Sequence, residues 1–161
     1  MTNPHVQSIN TLRSFPQRLS DAIAGLDEEC MTGHPIPGEW SIAQNIHHLA
    51  DSHMTSYIRC RLIASEINPP LKPYDQDAWA GFADSQTADV STSMMILRGL
   101  HLRWAEFFAN LGDNDWERVG SHPDLGAVSL HRQLIGYVAH GQDHLDQISR
   151  TLAAVRQQKS K

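Results

Sequence analysis

Apolar residues recur every three or four positions along most of this chain, and the recurrence stops at a few glycine- and proline-rich places. This divides the sequence into four long helical segments. The first covers about residues 6–26, with Ile9, Leu12, Leu19, Ile23 and Leu26 at helical spacing. Pro16 lies inside it and is expected to kink or restart the helix, because proline lacks a backbone donor and crowds the preceding turn. Gly33, Pro35, Pro37 and Gly38 then form a cluster of breakers. The second helix opens at Ser41, where Gln44 three residues on completes a capping box and Trp40 stands just before it. Ile42, Ile46, Leu49, His53 and Tyr57 trace its buried stripe, which runs to about Ser65. The third helix runs over about 89–111, turning Met94, Leu97, Leu100, Trp104, Phe107 and Phe108 or Leu111 inward. Ser129 is the expected cap of the fourth, whose stripe is Leu134, Tyr137, Val138, Leu145, Ile148, Leu152 and Val155.

Two connections stand out. Residues 68–79 hold Pro69, Pro70 and Pro73, so regular helix is excluded there, and Tyr74 and Trp79 are its aromatic anchors. Long connections inside a small domain are often functional. Residues 116–128 form a second connection with room for a short extended piece. No alternating strand pattern, internal repeat or second core interrupts the helices, so a single all-α domain over residues 1–161, built as a four-helix bundle, is predicted.

Composition narrows the function classes. At 19% charged and 40% hydrophobic residues the chain reads as globular, and no apolar run approaches the roughly 20 residues of a membrane span. A net charge of −5 argues against nucleic acid or an anionic membrane as partner. The N-terminus has no signal-peptide pattern, and two cysteines, Cys30 and Cys60, make no disulfide framework, so a cytoplasmic location is expected. The anomaly is ten histidines, as many as there are glycines.

Two of them, His140 and His144, lie one turn apart beside the apolar stripe of the fourth helix. Two imidazoles at this spacing can grip one divalent ion when a third ligand joins them. Gly141 occupies the position of the glutamate in the H-E-x-x-H signature, so a zincin mechanism is not indicated; its small side chain would let a neighbouring helix approach closely. On the second helix His47, His48 and His53 compete for the third place. His53 falls on the apolar stripe, as a satisfied core histidine would. His48 lies on the polar flank with Gln44, Asp51 and Thr55, and Asp51 one turn away is a candidate supporting partner. Spacing leaves the choice open. His101 and His122 are expected to bond loop backbone, and His5, His34 and His131 receive no role.

The run Trp40-Ser-Ile-Ala-Gln-Asn-Ile-His-His-Leu-Ala-Asp-Ser-His-Met54 resembles the second-helix motif of the DinB/YfiT-like superfamily of metal-dependent hydrolases, close to its bacillithiol transferase branch. Further matching segments follow in order: Ser56–Arg59, Lys72–Asp75, Ala78-Trp79, Leu100–Trp104, His122–Asp124 and the terminal His140 and His144. The resemblance implies an up-down-down-up four-helix bundle with a divalent metal, zinc or nickel, on His48, His140 and His144. It implies a homodimer, and either hydrolysis or transfer of a low-molecular-weight thiol onto a small electrophile. Tyr74, Asp75 and Asp51 are weaker candidates for pocket residues. One departure is Ala139, where the family carries tryptophan, a change expected to widen or reshape the pocket. The rival reading is a non-catalytic bundle that holds a structural metal, normally closed by four protein ligands, or a small ligand.

Overall fold

The computed structural model describes residues 4–159. Four long helices, α1 (Val6–Ala22), α3 (Ile42–Ser65), α5 (Ser91–Ala109) and α6 (Leu130–Lys159), form the bundle. Two short helices, α2 (Glu28–Thr32) and α4 (Gln76–Ala80), a 3-10 turn over Ala83–Gln86 and a hairpin of β1 (Val119–His122) and β2 (Gly126–Ser129) fill the connections. α1 packs on α5 and α6, and α3 packs on the same two helices, so α1 and α3 lie diagonally opposite.

Side-chain partners give the directions. Asn45 meets His144 while Ser56 meets Gln133, so α3 and α6 are antiparallel. Leu12 meets His101 while Ser20 meets Arg98, so α1 and α5 are antiparallel too. By contrast, His47 bonds Ser93 and Tyr57 packs on Trp104, which makes α3 and α5 parallel. α1 and α6 are parallel as well, with His5 beside His131 and Arg18 bonded to Gln142. The order is therefore up-down-down-up. Parallel neighbours force the chain to travel back along the bundle between α3 and α5, which is why residues 66–90 form a long connection.

Several local expectations meet the structure directly. Ser41 and Gln44 make the capping box in both directions, at 3.1 and 3.0 Å. The Ser129 hydroxyl accepts from the Arg132 N–H at the start of α6. Others differ. α1 runs unbroken through Pro16 and ends at Ala22, short of Leu26, and Asp27 then caps the separate helix α2. The extended piece is a paired hairpin, joined along β1 by the residue 69–71 backbone. Within the proline-rich connection, Asp75 caps α4 by accepting from the Ala78 N–H, so this exposed residue has a structural role in place of the pocket role expected of it.

The core is split at the waist of the bundle. At one end Ile9, Leu12, Cys60, Ile63, Trp104, Phe108, Leu130 and Leu134 pack together. At the other end Phe15, Leu19, Ile42, Ile46, Leu49, Leu97 and Ile148 do so. On three of the four long helices histidines stand between these two sets: His53 on α3, His101 on α5, and His140 and His144 on α6. A buried polar layer of this kind is tolerated only where its hydrogen bonds are satisfied.

Candidate metal centre

The first question is which histidine of α3 faces the interior pair. His47 points to the start of α5: its Nε2–H donates to the Thr87 carbonyl at 3.1 Å and its Nδ1 accepts from the Ser93 hydroxyl at 2.8 Å. Both nitrogens are committed to the structure. His48, one position on, brings Nε2 to 3.4 Å from Nε2 of His140, which is 3.2 Å from Nε2 of His144. Ligand atoms of His48, His140 and His144 all lie within 4.8 Å of one another, and among the described residues they are the one such group of three or more His, Cys, Asp or Glu.

The protons on these rings follow from their partners. His101 Nδ1 lies 2.6 Å from the Leu12 carbonyl oxygen, which can only accept, so the proton is on Nδ1 and Nε2 of His101 is an acceptor. His53 must then donate from Nδ1 to His101 Nε2, at 2.7 Å. Its Nε2 accepts in turn from Nδ1–H of His140, at 3.1 Å. The chain of three neutral rings leaves the lone pair of His140 on Nε2. A second anchor acts on His144: its Nδ1–H donates to Asn45 Oδ1 at 2.6 Å, and Asn45 is held by its own amide, which donates to the Ser41 carbonyl at 2.9 Å. His144 therefore also presents a lone pair at Nε2.

Electrostatics keep the rings neutral. Burial, with His144 beside it, lowers the His48 pKa to about 3. Burial, then His144 and His48, lowers that of His140 to about 3. Burial lowers His144 to about 4, with Asp143 opposing, and His101 to about 4, with the Leu12 carbonyl opposing. The fully buried His53 is pushed well below its ordinary value by desolvation first and then by the surrounding histidines.

The donor set fits a divalent cation. Two neutral nitrogens with lone pairs facing at 3.2 Å repel unless a cation sits between them. Imidazole–zinc bonds of about 2.0–2.1 Å in a tetrahedron place neighbouring nitrogens about 3.3–3.4 Å apart, close to the observed spacings. Trp40 covers the cluster, its ring centroid 4.7 Å from that of His48 and its plane stacked on His144.

Beyond His140 opens a cavity of about 470 Å³, walled by Arg59 and Ser52 of α3, Tyr74 of the proline-rich connection, His122 of the hairpin, and Arg132 and Tyr137 of α6. Tyr74 thus reaches the pocket, its ring 4.5 Å from that of its companion anchor Trp79. His122 accepts a hydrogen bond at Nδ1 from the Asp124 backbone N–H. Two expectations change here. Asp51 does not support His48; it is half-buried near Asp84 and His47, and burial raises its pKa. Ala139 is exposed on α6 and does not line the cavity. The supporting residue that spacing did not single out is Asn45, three positions before His48 on α3.

Three histidines converging at the waist of a four-helix bundle make a metal-binding bundle protein the fitting class. The chain belongs to the DinB superfamily, whose family description matches residues 11–148. It is 37% identical over 142 residues to the "putative metal-dependent hydrolase YfiT" of Bacillus subtilis, covering 88% of this chain and 80% of that one. A "putative metal-dependent hydrolase" of Oceanobacillus iheyensis is 36% identical over 141 residues, covering 88% of this chain and 81% of the relative. Among solved structures, that of YfiT from B. subtilis superposes with a TM-score of 0.89 at 35% identity, covering 94% of this chain and 87% of the other. It is described as "a probable metal-dependent hydrolase with an unusual four-helix bundle topology".

Proposed function

We propose that this protein is a metal-dependent enzyme that holds one divalent ion, zinc or nickel, on His48, His140 and His144. Its reaction would be transfer of a low-molecular-weight thiol onto a small electrophile. The observation that carries the reading is the pair of Nε2 lone pairs of His140 and His144 facing at 3.2 Å, each fixed by a separate hydrogen-bond anchor. Three protein ligands leave a coordination position open, as in catalytic sites and unlike closed structural ones. A divalent cation there lowers the pKa of a bound water or thiol.

The chain's own residues supply the rest. His53 and His101 hold the proton of His140 on Nδ1, Asn45 does so for His144, and Trp40 keeps bulk water from one side. The cavity beside His140 admits a small molecule. Hydrolysis by a metal-bound water is the other use of the same open position, since the cation activates water and thiol alike. A thiol held there as thiolate is the nucleophile in the proposed transfer. In the transfer its sulfur forms a bond to the electrophilic carbon, whose leaving group departs with the bonding electron pair.

The test has two stages. Metal analysis of protein purified without chelators should give about one ion per chain, falling to background in His140→Ala. A halogenated aromatic electrophile is then assayed with several cellular thiols. Protein without stoichiometric metal overturns the metal reading, and turnover by water that is indifferent to thiols makes the enzyme a hydrolase.

A further inference from the structure

His48 is only 3% exposed, and of the three histidines the cavity described above touches His140 alone. An ion held on a buried cluster needs a way in. The other two histidines lie under Trp40, whose ring is 4.7 Å from that of His48 and stacks on His144 with the planes 11° apart. Trp40 also lines a hollow of about 320 Å³, together with Gly38, Glu39, Asp77, Gln147 and Arg150. This hollow shares no residue with the cavity at His140.

The segment that carries Trp40 is held lightly. Residues 34–40 belong to neither core, and among the described residues no backbone hydrogen bond joins them to another element. The Glu39 N–H donates to the Ile36 carbonyl and the His34 ring bonds the Glu39 carbonyl, both within the segment. Two side-chain links tie it to α6: Glu39 pairs with Arg150 at 3.6 Å, and the Gln158 amide donates to the Pro35 carbonyl at 3.5 Å. Asn45 of α3 donates to the Trp40 carbonyl at the same length. The Arg150 side chain is 57% exposed, and such ion pairs are weak. Gly38, at φ +80°, provides a joint that other residues rarely adopt. Few apolar contacts and few backbone hydrogen bonds mark a segment that opens locally.

We propose that residues 34–40 form a strap that lifts Trp40 from His48 and His144, opening a second entrance to the triad through which a divalent cation passes. Around the hollow, Glu39 and Asp77 set two carboxylates against the one guanidinium of Arg150, a balance that draws a cation. That a cation uses the entrance rests on the metal reading above; the movement of Trp40 does not.

Two measurements on the full chain separate these claims. The first uses metal-free protein at neutral pH, where carbethoxylation of each histidine by diethyl pyrocarbonate is followed by tandem mass spectrometry. Arg150→Gln cuts the ion pair, and loss of an exposed pair multiplies the open population by about two- to fivefold. His48 and His144 should be modified faster by that factor, and the exposed His131 at the wild-type rate. Trp40→Ala should speed both further. The second measurement follows zinc uptake and zinc release with a chromogenic chelator. An entrance serves both directions, so Arg150→Gln should raise both rates by one factor and leave their ratio, the dissociation constant, unchanged. Arg103→Gln, on α5 away from the hollow, should alter neither rate. Unchanged modification of His48 and His144 in Arg150→Gln overturns the strap. Faster modification with unchanged zinc rates overturns the cation's use of it. A rise in release alone does the same, because Trp40 would then steady the bound ion and not admit it. If no zinc binds while both histidines are modified faster, the metal reading fails and the movement stands.

Discussion

His101 donates its Nδ1–H to the carbonyl oxygen of Leu12 across the α1–α5 interface, at 2.6 Å. That oxygen is available because the residue four positions on is Pro16, which has no N–H to close the helical turn. The proline permits a buried histidine to be anchored, and the anchor sets every tautomer down to Nε2 of His140. Replacing His53 or His101 by Phe keeps a ring in place and removes the relay without touching a proposed ligand. Partners of metal-bound histidines typically contribute about 10–100-fold in affinity. Either variant should therefore weaken zinc binding by about that factor in a chelator competition while all three proposed ligands remain. Nitrogen NMR of wild-type protein should show His140 carrying its proton on Nδ1; the opposite tautomer would refute the relay.

The close approach expected at Gly141 is present, and it presses on the same layer. A Cβ there would meet the Phe15 ring at 2.8 Å, and Phe15 stacks on His101 with centroids 5.3 Å apart. Alanine is intrinsically better than glycine in a helix by about 1 kcal/mol. At exposed Gly99 on α5, where an added Cβ meets nothing within 4 Å, Gly99→Ala should raise stability by roughly 0.5–1 kcal/mol. Gly141→Ala should instead lower it by about 1–3 kcal/mol, because the ring and the histidines behind it must shift. Denaturant midpoints of the two variants should move in opposite directions.

Much of this was legible in the sequence. The four helices, the capping box and the apolar stripes follow from periodicity that tertiary packing reinforces, as at Ile42, Ile46 and Leu49, which are all fully buried. The short helices α2 and α4 escaped because a five-residue helix has no periodicity to show; only their caps, Asp27 and Asp75, mark them. Position i+4 made His140 and His144 visible as a pair. It could not separate His47 from His48, since that depends on Thr87 and Ser93, some forty residues away and in contact only through the long crossover. The relay was half visible: Pro16 says that the Leu12 carbonyl needs a donor, but nothing local says the donor is His101.

Acid should unfold the metal-free protein over a defined range. His48, His53, His101, His140 and His144 all have folded pKa values below the ordinary 6.5. A depressed value means that the neutral, folded form is favoured above the unfolded pKa and loses ground as pH falls towards the folded values. The unfolded chain takes up these protons near pH 6.5, whereas folded His101 and His144 resist until about 4 and His48 and His140 until about 3. Each group then removes up to about 1.4 kcal/mol per pH unit. Asp51, raised by burial, acts in the opposite sense, one group against five. Thermal scans of the metal-free protein should show a plateau above about pH 7 and a steep fall below 6. A flat profile down to pH 5 would contradict the buried neutral layer.

The neighbouring histidines of α3 offer the sharpest separation of structure from metal. His47 holds the Thr87 carbonyl and the Ser93 hydroxyl, so His47→Ala should cost about 1–3 kcal/mol and leave the zinc response intact. His48 is given no such role; its proposed purpose is to bind. Zinc at about 100 times its dissociation constant stabilises a specific site by about 2.7 kcal/mol, which for a chain of this size is a rise of about 5–10 °C in melting temperature. Wild type and His47→Ala should both show that rise, from different starting points. His48→Ala should begin near the wild-type temperature, because it removes a buried nitrogen from a cluster of facing lone pairs. His144→Ala should begin lower, because it also leaves Asn45 Oδ1 without its donor. Neither should gain anything from zinc. Were His47→Ala to lose the response and His48→Ala to keep it, the proposed third ligand would have to be reassigned along α3.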